Sequence, residues 1–270
     1  AWPLLAGRRV VALTGAGMST DSGIPDYRGP DSPPRRPMTY QEFVSGESAR
    51  RRYWARSHIG WRHLSQATPN AGHRAMAELE RRAVVTAVIT QNVDGLHQQA
   101  GSRTVVDLHG RIADVTCLTC RSPTSRAELH RRLDVLNRGF GTSVELEDVQ
   151  IAPDGDAVLS SVEGFVVAAC LSCGGVLKPD VVFFGEGVPK PRVERCYALV
   201  DEAEALLVCG SSLTVMSGLR FVRHARRRGI PVVVVNRGPT RGDPMATAKI
   251  DGGCSETLRQ LVALTAVTVS

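Results

Sequence analysis

The stretch from Leu13 to Gly29, Leu-Thr-Gly-Ala-Gly-Met-Ser-Thr-Asp-Ser-Gly-Ile-Pro-Asp-Tyr-Arg-Gly, constrains the fold more than any other part of the chain. The apolar run Val10-Val11-Ala12-Leu13 leads into it and reads as a buried strand. Gly15 and Gly17 then permit a tight turn and a close approach of backbone N–H groups to a diphosphate. Ser19, Thr20 and Ser22 are placed to start a helix and to add hydroxyl donors. Strand, glycine turn and helix together open a dinucleotide-binding unit. The pattern is not the dehydrogenase one. Thr20 stands where a third glycine belongs, and Arg35 where an acid belongs. The tail Gly23-Ile24-Pro25-Asp26-Tyr27-Arg28-Gly29 adds a fixed bend, a ring to stack on and a permanent charge for phosphate or carboxylate.

Further apolar runs follow. Strands are expected at Val84–Thr90, Thr104–Leu108, Asp180–Phe184, Ala205–Cys209 and Pro231–Val235. Helical patterns cover Thr39–Leu64, Ala71–Arg82, Pro191–Ala203 and Ser217–Arg228, with a last helix capped by Ser255 and running to about Leu264. Apolar strands alternating with helices predict an α/β fold with a mainly parallel, doubly wound, Rossmann-like sheet. Two segments interrupt it. Pro30–Pro37 is rich in proline and arginine and is expected to be a mobile surface loop. Arg111–Lys178 loses the alternation and reads as a loop-rich insert punctuated by glycines and prolines. The division expected is a nucleotide-binding domain of residues 1–35, 67–110 and 177–270, a helical segment of residues 36–66, and a module of residues 111–176.

The insert carries the clearest constellation. Cys117-Leu-Thr-Cys120 and Cys170-Leu-Ser-Cys173 are two C-x-x-C knuckles, whose soft thiolates suit tetrahedral zinc better than a redox pair or two unrelated pairs. Four protein ligands leave no open position, so such an ion is structural. Seven cysteines in all, an odd number with paired spacing, favour metal over a disulfide framework. Cys209 ends an apolar strand and reads as inert core.

Ligands of parallel α/β sheets bind outside the carboxyl ends of the strands. Gly15, Gln91, His109, Gly210 and Asn236 each fall just after an expected strand, so topology alone gathers them along one edge. Taken singly, Gln91-Asn92-Val93-Asp94 is a helix cap, Gly210-Ser211-Ser212 a plain turn and His109 a satisfied core histidine.

Taken together, the Gly15–Gly29 stretch, Thr90-Gln91-Asn92-Val93-Asp94, His109-Gly110, Gly210-Ser211-Ser212-Leu213 and Val235-Asn236 resemble the successive signatures of the sirtuins, the NAD-dependent protein lysine deacylases. The resemblance runs from about Val10 to Cys254. Leu-His-Gly-Arg, the long gap between the cysteine pairs and the Tyr40–Arg56 segment make it most like the class II branch. It implies NAD as cosubstrate, one structural zinc, acylated lysine in proteins or peptides as substrate, and nicotinamide, free lysine and O-acyl-ADP-ribose as products. Gly15, Ala16, Gly17, Arg28, Gly210, Ser211 and Asn236 would hold the ADP part, with Asn236 and Cys254 near adenosine. The same resemblance puts Ser212, Arg237 and Gly238 beside the cofactor. Ile24, Asn92 and Asp94 would line the nicotinamide pocket beside Pro25, Asp26 and Tyr27. Gln91 would face the ribose, His109 would be the general base, and Asn92 would share in catalysis. Val182 and Phe183 would line the acyl-lysine tunnel, with Gly185 and Glu186 in the peptide-binding segment. In one branch of the family a Tyr-x-x-Arg pair grips an acyl carboxylate. Tyr53 and Arg56 have that spacing, against the plainer reading of a packed Tyr and a solvated Arg. A mono-ADP-ribosyltransferase using the same NAD site, and a non-catalytic NAD or ADP-ribose sensor on a zinc scaffold, are the rival functions.

Composition limits the rest. The 270 residues suffice for a full core, and no uncharged apolar run is long enough to span a bilayer. The formal charge of +6 favours anionic ligands, but no basic stretch is interleaved with aromatics, which argues against nucleic acid. Lysine occurs only at Lys178, Lys190 and Lys249, and that arginine bias points to a GC-rich, bacterial genome. The first five residues lack the length and basic flank of a signal peptide, so a cytoplasmic location is expected. The chain does not begin with Met, which leaves an upstream segment open.

Overall fold

The computed structural model describes residues 1–29, 32, 36–141, 152–159 and 161–267. The larger sheet has six strands: β1 (Val10–Thr14), β2 (Val85–Thr90), β3 (Val105–Asp107), β7 (Ala205–Cys209), β8 (Val232–Val235) and β9 (Ala248–Ile250). Their order is β3-β2-β1-β7-β8-β9, and every pairing is parallel. This is a doubly wound Rossmann-like sheet, in which the direction of strand addition reverses between β1 and β7.

The strand residues are apolar throughout because both faces of the sheet are covered. Val11, Leu13, Leu206, Val208, Val232 and Val234 join one core with Val200, Leu219, Phe221 and Val222 from α6 (Lys190–Glu202) and α7 (Met216–Arg227). Val10, Ala12, Ala205, Leu207, Val233 and Val235 point the other way. They pack on Met76, Leu79, Leu258 and Leu261 of α3 (Ala71–Arg81) and α8 (Cys254–Val267).

A smaller domain lies between β1 and α3 and again after β3. It contains α1 (Tyr40–Ser45), α2 (Glu47–Leu64), β4 (Gly110–Cys117), β5 (Pro123–Ser125), α5 (Arg126–Leu136) and β6 (Leu177–Val181). Its three strands form an antiparallel sheet in the order β5-β4-β6. A second small helix, α4 (Leu96–Gln99), follows β2.

Five expectations change. No helix starts at Ser19. The chain makes two 3-10 turns, Ala16–Met18 and Thr20–Ser22, and leaves through Gly23 at a left-handed φ of 80°, because the Ser19 hydroxyl is engaged by Asp94 instead of capping. The strand expected at Asp180–Phe184 is Leu177–Val181, and it belongs to the small sheet, so the boundary placed at residue 177 moves past β6. The insert is not merely loop-rich. It contains α5, capped by Ser125, and an eight-residue strand. Ser255 lies inside α8, where its hydroxyl accepts from Gly72 N–H instead of capping the helix. The Thr39–Leu64 pattern is two helices separated at Gly46, the first opened by a Thr39–Glu42 capping box. Pro30, Asp31 and Pro33–Arg35 of the expected mobile loop lie outside the described residues, as do residues 142–151 of the insert. Among the described residues no helix is long and apolar enough to cross a membrane.

Candidate active site and zinc centre

The carboxyl ends of β1, β2, β7 and β8 fix the site residues through the backbone. The N–H of Gly15 donates to Cys209 O (3.0 Å), Gln91 to Thr14 O (2.9 Å), Gly210 to Val235 O (2.9 Å) and Asn236 to Ile250 O (3.1 Å). Each strand ladder therefore continues one residue past the strand, and the site starts on rigid backbone. The β1 and β7 turns interlock. A Cβ on Gly15 would lie 2.8 Å from Gly210 O, and one on Gly210 would lie 2.4 Å from Met18 N at a φ of +63°. Two backbones meet here at a distance only glycine allows.

These ends open into a cleft of about 670 Å³ between the two domains. Of the residues singled out from sequence, Gly15, Ala16, Gly17, Ile24, Asp26, Tyr27, Arg28, Gln91, Asn92, Asp94 and His109 line it, as do Gly210–Ser212, Asn236–Gly238, Val182, Phe183, Gly185 and Glu186. Pro25 and Cys254 do not. Cys254 is buried at the start of α8.

A polar relay crosses the floor. Asn92 Nδ2 donates to Gly15 O and to Ser19 Oγ, both at 3.0 Å, and the Ser19 hydroxyl donates to Asp94 Oδ2 at 2.7 Å. Leu96 N–H donates to the other Asp94 oxygen at 2.9 Å. Burial pushes the Asp94 carboxyl up, and these two hydrogen bonds work against that shift. Gln91 Nε2 donates to Ser211 Oγ (2.9 Å) and Thr14 O (3.2 Å), tying the β2 end to the β7 turn.

His109 stands at the entrance to β4. Its Nδ1 lies 2.9 Å from Gln91 O and its Nε2 lies 2.8 Å from Ser217 Oγ. A carbonyl only accepts, so Nδ1 carries the proton and Nε2 accepts from the Ser217 hydroxyl. Burial, helped by the Arg192 and Arg220 charges and opposed by the Gln91 carbonyl, lowers the His109 pKa to about 4. The ring is therefore neutral at physiological pH, with its lone pair on Nε2. Ser217, in the first turn of α7, escaped the sequence reading, because a serine there looks like an ordinary helix-start residue.

Pro153 and Asp154 also escaped it. They come from the insert yet line the cleft, where burial pushes the Asp154 carboxyl up and the neighbouring Tyr27 phenol opposes that shift. The substrate segment is anchored from below. Val182 N–H donates to His109 O (2.8 Å), Tyr40 N–H donates to Phe184 O (2.9 Å), and buried Lys178 pairs with Glu186 at 3.0 Å. Tyr53 and Arg56 depart from the acyl-carboxylate reading. Tyr53 is buried against Phe43, Trp54 and Phe183, while Arg56 donates to Ala157 O and pairs with Asp156 at 2.8 Å. Neither lines the cleft. The carboxylate that Arg56 grips belongs to this chain.

The four cysteines converge as their spacing predicts. The Cys117–Cys173 and Cys120–Cys170 sulfur pairs are 3.6 and 3.7 Å apart, and all four sulfurs lie within 4.8 Å of one another. Tetrahedral Zn–S bonds of about 2.3 Å require sulfurs roughly 3.8 Å apart. The donor set fits one zinc ion with no position left for substrate.

The "Sir2 family" model matches residues 15–217. "NAD-dependent protein deacetylase 1" of Mycobacterium avium (strain 104) is 60% identical over 259 residues, covering 96% of this chain and 92% of that protein. The protein of the same name from Streptomyces coelicolor is 57% identical and covers 89% of this chain and 81% of its own. A solved structure, "Sir2-p53 peptide-NAD+", superposes with a TM-score of 0.79 at 32% identity, over 98% of this chain and 97% of that one. With the interlocked glycine turns, the histidine at the cleft and the four-thiol centre in place, this chain belongs to the Sir2 family.

Proposed function

We propose that the cleft removes acyl groups from protein lysine side chains at the expense of NAD. The observation that carries the reading is His109, held neutral with its Nε2 lone pair at the wall of a dinucleotide cleft. The relatives' shared name, NAD-dependent protein deacetylase, and the peptide and NAD+ named for the solved structure support it.

NAD supplies an activated nicotinamide–ribose bond; the residues of this chain do the rest. The switch-point turns at Gly15–Gly17 and Gly210–Ser211, with Arg28 and Asn236, hold its diphosphate and adenosine half. Donors are ready, and no carboxylate stands in the glycine turns. Ile24, Asn92 and Asp94 take the nicotinamide carboxamide, Asp94 as acceptor. Gln91 faces the ribose hydroxyls. His109 Nε2 receives a hydroxyl proton during acyl transfer, a task for a neutral imidazole. Val182 and Phe183 guide the acyl-lysine, and the segment ending at Glu186 holds the peptide. Zinc binds away from this chemistry and holds the small domain together. The bacterial relatives support a bacterial protein, and the cytoplasm is its proposed location.

The test is nicotinamide release from NAD with and without an acetyl-lysine peptide. Release that depends on peptide and generates deacylated lysine is expected, and His109→Ala should lower deacylation by about 10²–10⁴-fold with NAD still bound. Label transferred from NAD to protein without lysine release would support a transferase, and no release at all would support a sensor. Either outcome overturns the proposal.

A further inference from the structure

A second cluster of metal-ligating side chains lies outside both centres described above. His58 of α2 faces His130 and Asp134 of α5, which are one turn apart on the same helix face. His58 Nε2 is 3.2 Å from Asp134 Oδ1, and His130 Nε2 is 3.7 Å from Asp134 Oδ2. One donor atom from each of the three residues lies within 4.8 Å of the other two. The imidazole centroids are 4.3 Å apart. We propose that His58, His130 and Asp134 form a second divalent-cation site, taking a borderline transition ion such as zinc or cobalt, which ties α2 to α5.

Hydrogen bonding alone serves this cluster poorly. Asp134 lies within hydrogen-bond distance of His58 but too far from His130. Among the described residues, Nδ1 of both rings has no hydrogen-bond partner, although His58 is only 1% exposed. Two imidazoles therefore compete for one carboxylate in a site that satisfies neither completely. A cation bound by both Nε2 atoms and one Asp134 oxygen removes that competition. Metal–nitrogen bonds of about 2.0–2.1 Å at tetrahedral angles put donor atoms roughly 3.3 Å apart. His58 is 3.2 Å from one Asp134 oxygen and His130 3.7 Å from the other, so a small side-chain adjustment brings three donors onto one ion. Two imidazoles and a carboxylate suit zinc, cobalt or nickel better than magnesium or calcium.

The surroundings keep the ligands competent. Burial lowers the His58 pKa to about 3, and it also lowers that of His130. The Arg126 and Arg62 charges add to both shifts, and Asp134 opposes them. Both rings are thus neutral, as ligation requires. The two arginines also repel a dication, so this site holds its ion more weakly than the four thiolates hold zinc. Asp134 is half exposed, which gives an ion a route in and leaves room for water as a fourth ligand.

The test is cobalt(II) titration of protein produced in cobalt medium, so that the four-thiol centre is never emptied, followed by optical absorption and by metal counting after gel filtration. The four-thiol centre should hold one equivalent from the start and show thiolate-to-cobalt charge-transfer absorption. A second equivalent should then bind without increasing that band, and should raise the melting temperature. Asp134→Asn and His130→Gln should each bind one equivalent only, with the thiolate band intact to show that the fold survives. A wild-type protein that stops at one equivalent in excess cobalt, or a second equivalent that persists in both variants, overturns the proposal.

Discussion

In the six-stranded sheet, β1, β7 and β8 are buried at every residue. In the small sheet, β4 alternates between buried and accessible positions, and β5 has no buried residue. The interior of the small domain also differs in kind. Arg126 is fully buried between the Trp54 and Trp61 rings, at 5.3 and 5.2 Å, and Lys178 is buried under Phe183 and Tyr40. Aliphatic surface on two faces can order a parallel sheet by itself. The small domain supplements a one-sided core with thiolate ligation, cation–π contacts and buried ion pairs. The lesson is one of placement. The apolar sheet provides a rigid edge for the nucleotide, and the cross-linked domain provides the opposite wall of the cleft.

The largest effect should come from removing metal from the small domain alone. Cys117→Ser breaks a tetrahedral set whose ligation contributes folding energy directly. Zinc content should fall below one per chain, and turnover should be lost because Val182–Glu186 continues directly from β6. Amide hydrogen exchange separates the two domains. Protection should collapse in β4 and β6 and persist in β1, β7 and β8. Equal loss in both domains would break the comparison and show that the parallel sheet depends on zinc as well.

A smaller effect, confined to the large domain, is expected of Gly210→Ala. The added methyl meets Met18 N at 2.4 Å in a left-handed conformation that L-residues rarely adopt. Backbone strain of this type costs about 1–3 kcal/mol, and relieving the contact spreads the β1 and β7 turns. Stability should drop by that amount, with weaker NAD binding measured by calorimetry and unchanged zinc content. Wild-type affinity in this variant would mean that the interlocked turns serve folding only.

The same contrast explains which features were legible in the sequence. Ala205–Cys209 was read to the residue, because an uninterrupted apolar run has one meaning in a doubly wound sheet. The cysteine pairs and the strand-end residues were legible because spacing and topology alone specify them. In the small domain local pattern failed. On α5, Leu129 and Leu133 are buried while Val135 and Leu136 are exposed, which blurs its apolar stripe. β6 carries Lys178 and Pro179 in its middle, and β9 has only three residues. Ser217, Pro153 and Asp154 reach the cleft through tertiary placement, for which sequence spacing carries no signal. Tyr53 and Arg56 show the reverse case, a legible spacing whose partners are not legible. Their helical spacing is real, but Asp156 from the insert occupies the arginine.

The smallest effect tests how the two domains meet at the base. His109 lies between β3 and β4, whereas Ser217 belongs to α7 of the parallel sheet domain, so the bond from Ser217 Oγ to Nε2 links catalysis to the rigid edge. Donation to the lone pair favours the neutral ring, which is the form the proposed chemistry uses. The sign follows from the shift. The His109 pKa is lowered from 6.5 to about 4, so the folded ring stays neutral at pH values where a free imidazole is protonated. The acid limb of kcat/KM, which reports the free enzyme, should therefore lie well below 6.5. Ser217→Ala removes the donor without adding bulk. That limb should move up toward 6.5, and turnover above it should fall about threefold to tenfold, the scale of one hydrogen bond. Ser217→Thr keeps a hydroxyl and should restore the low acid limb. A limb that stays in place in the alanine variant would show that Ser217 merely packs against His109, and that burial with the Arg192 and Arg220 charges keeps the base neutral against the Gln91 carbonyl.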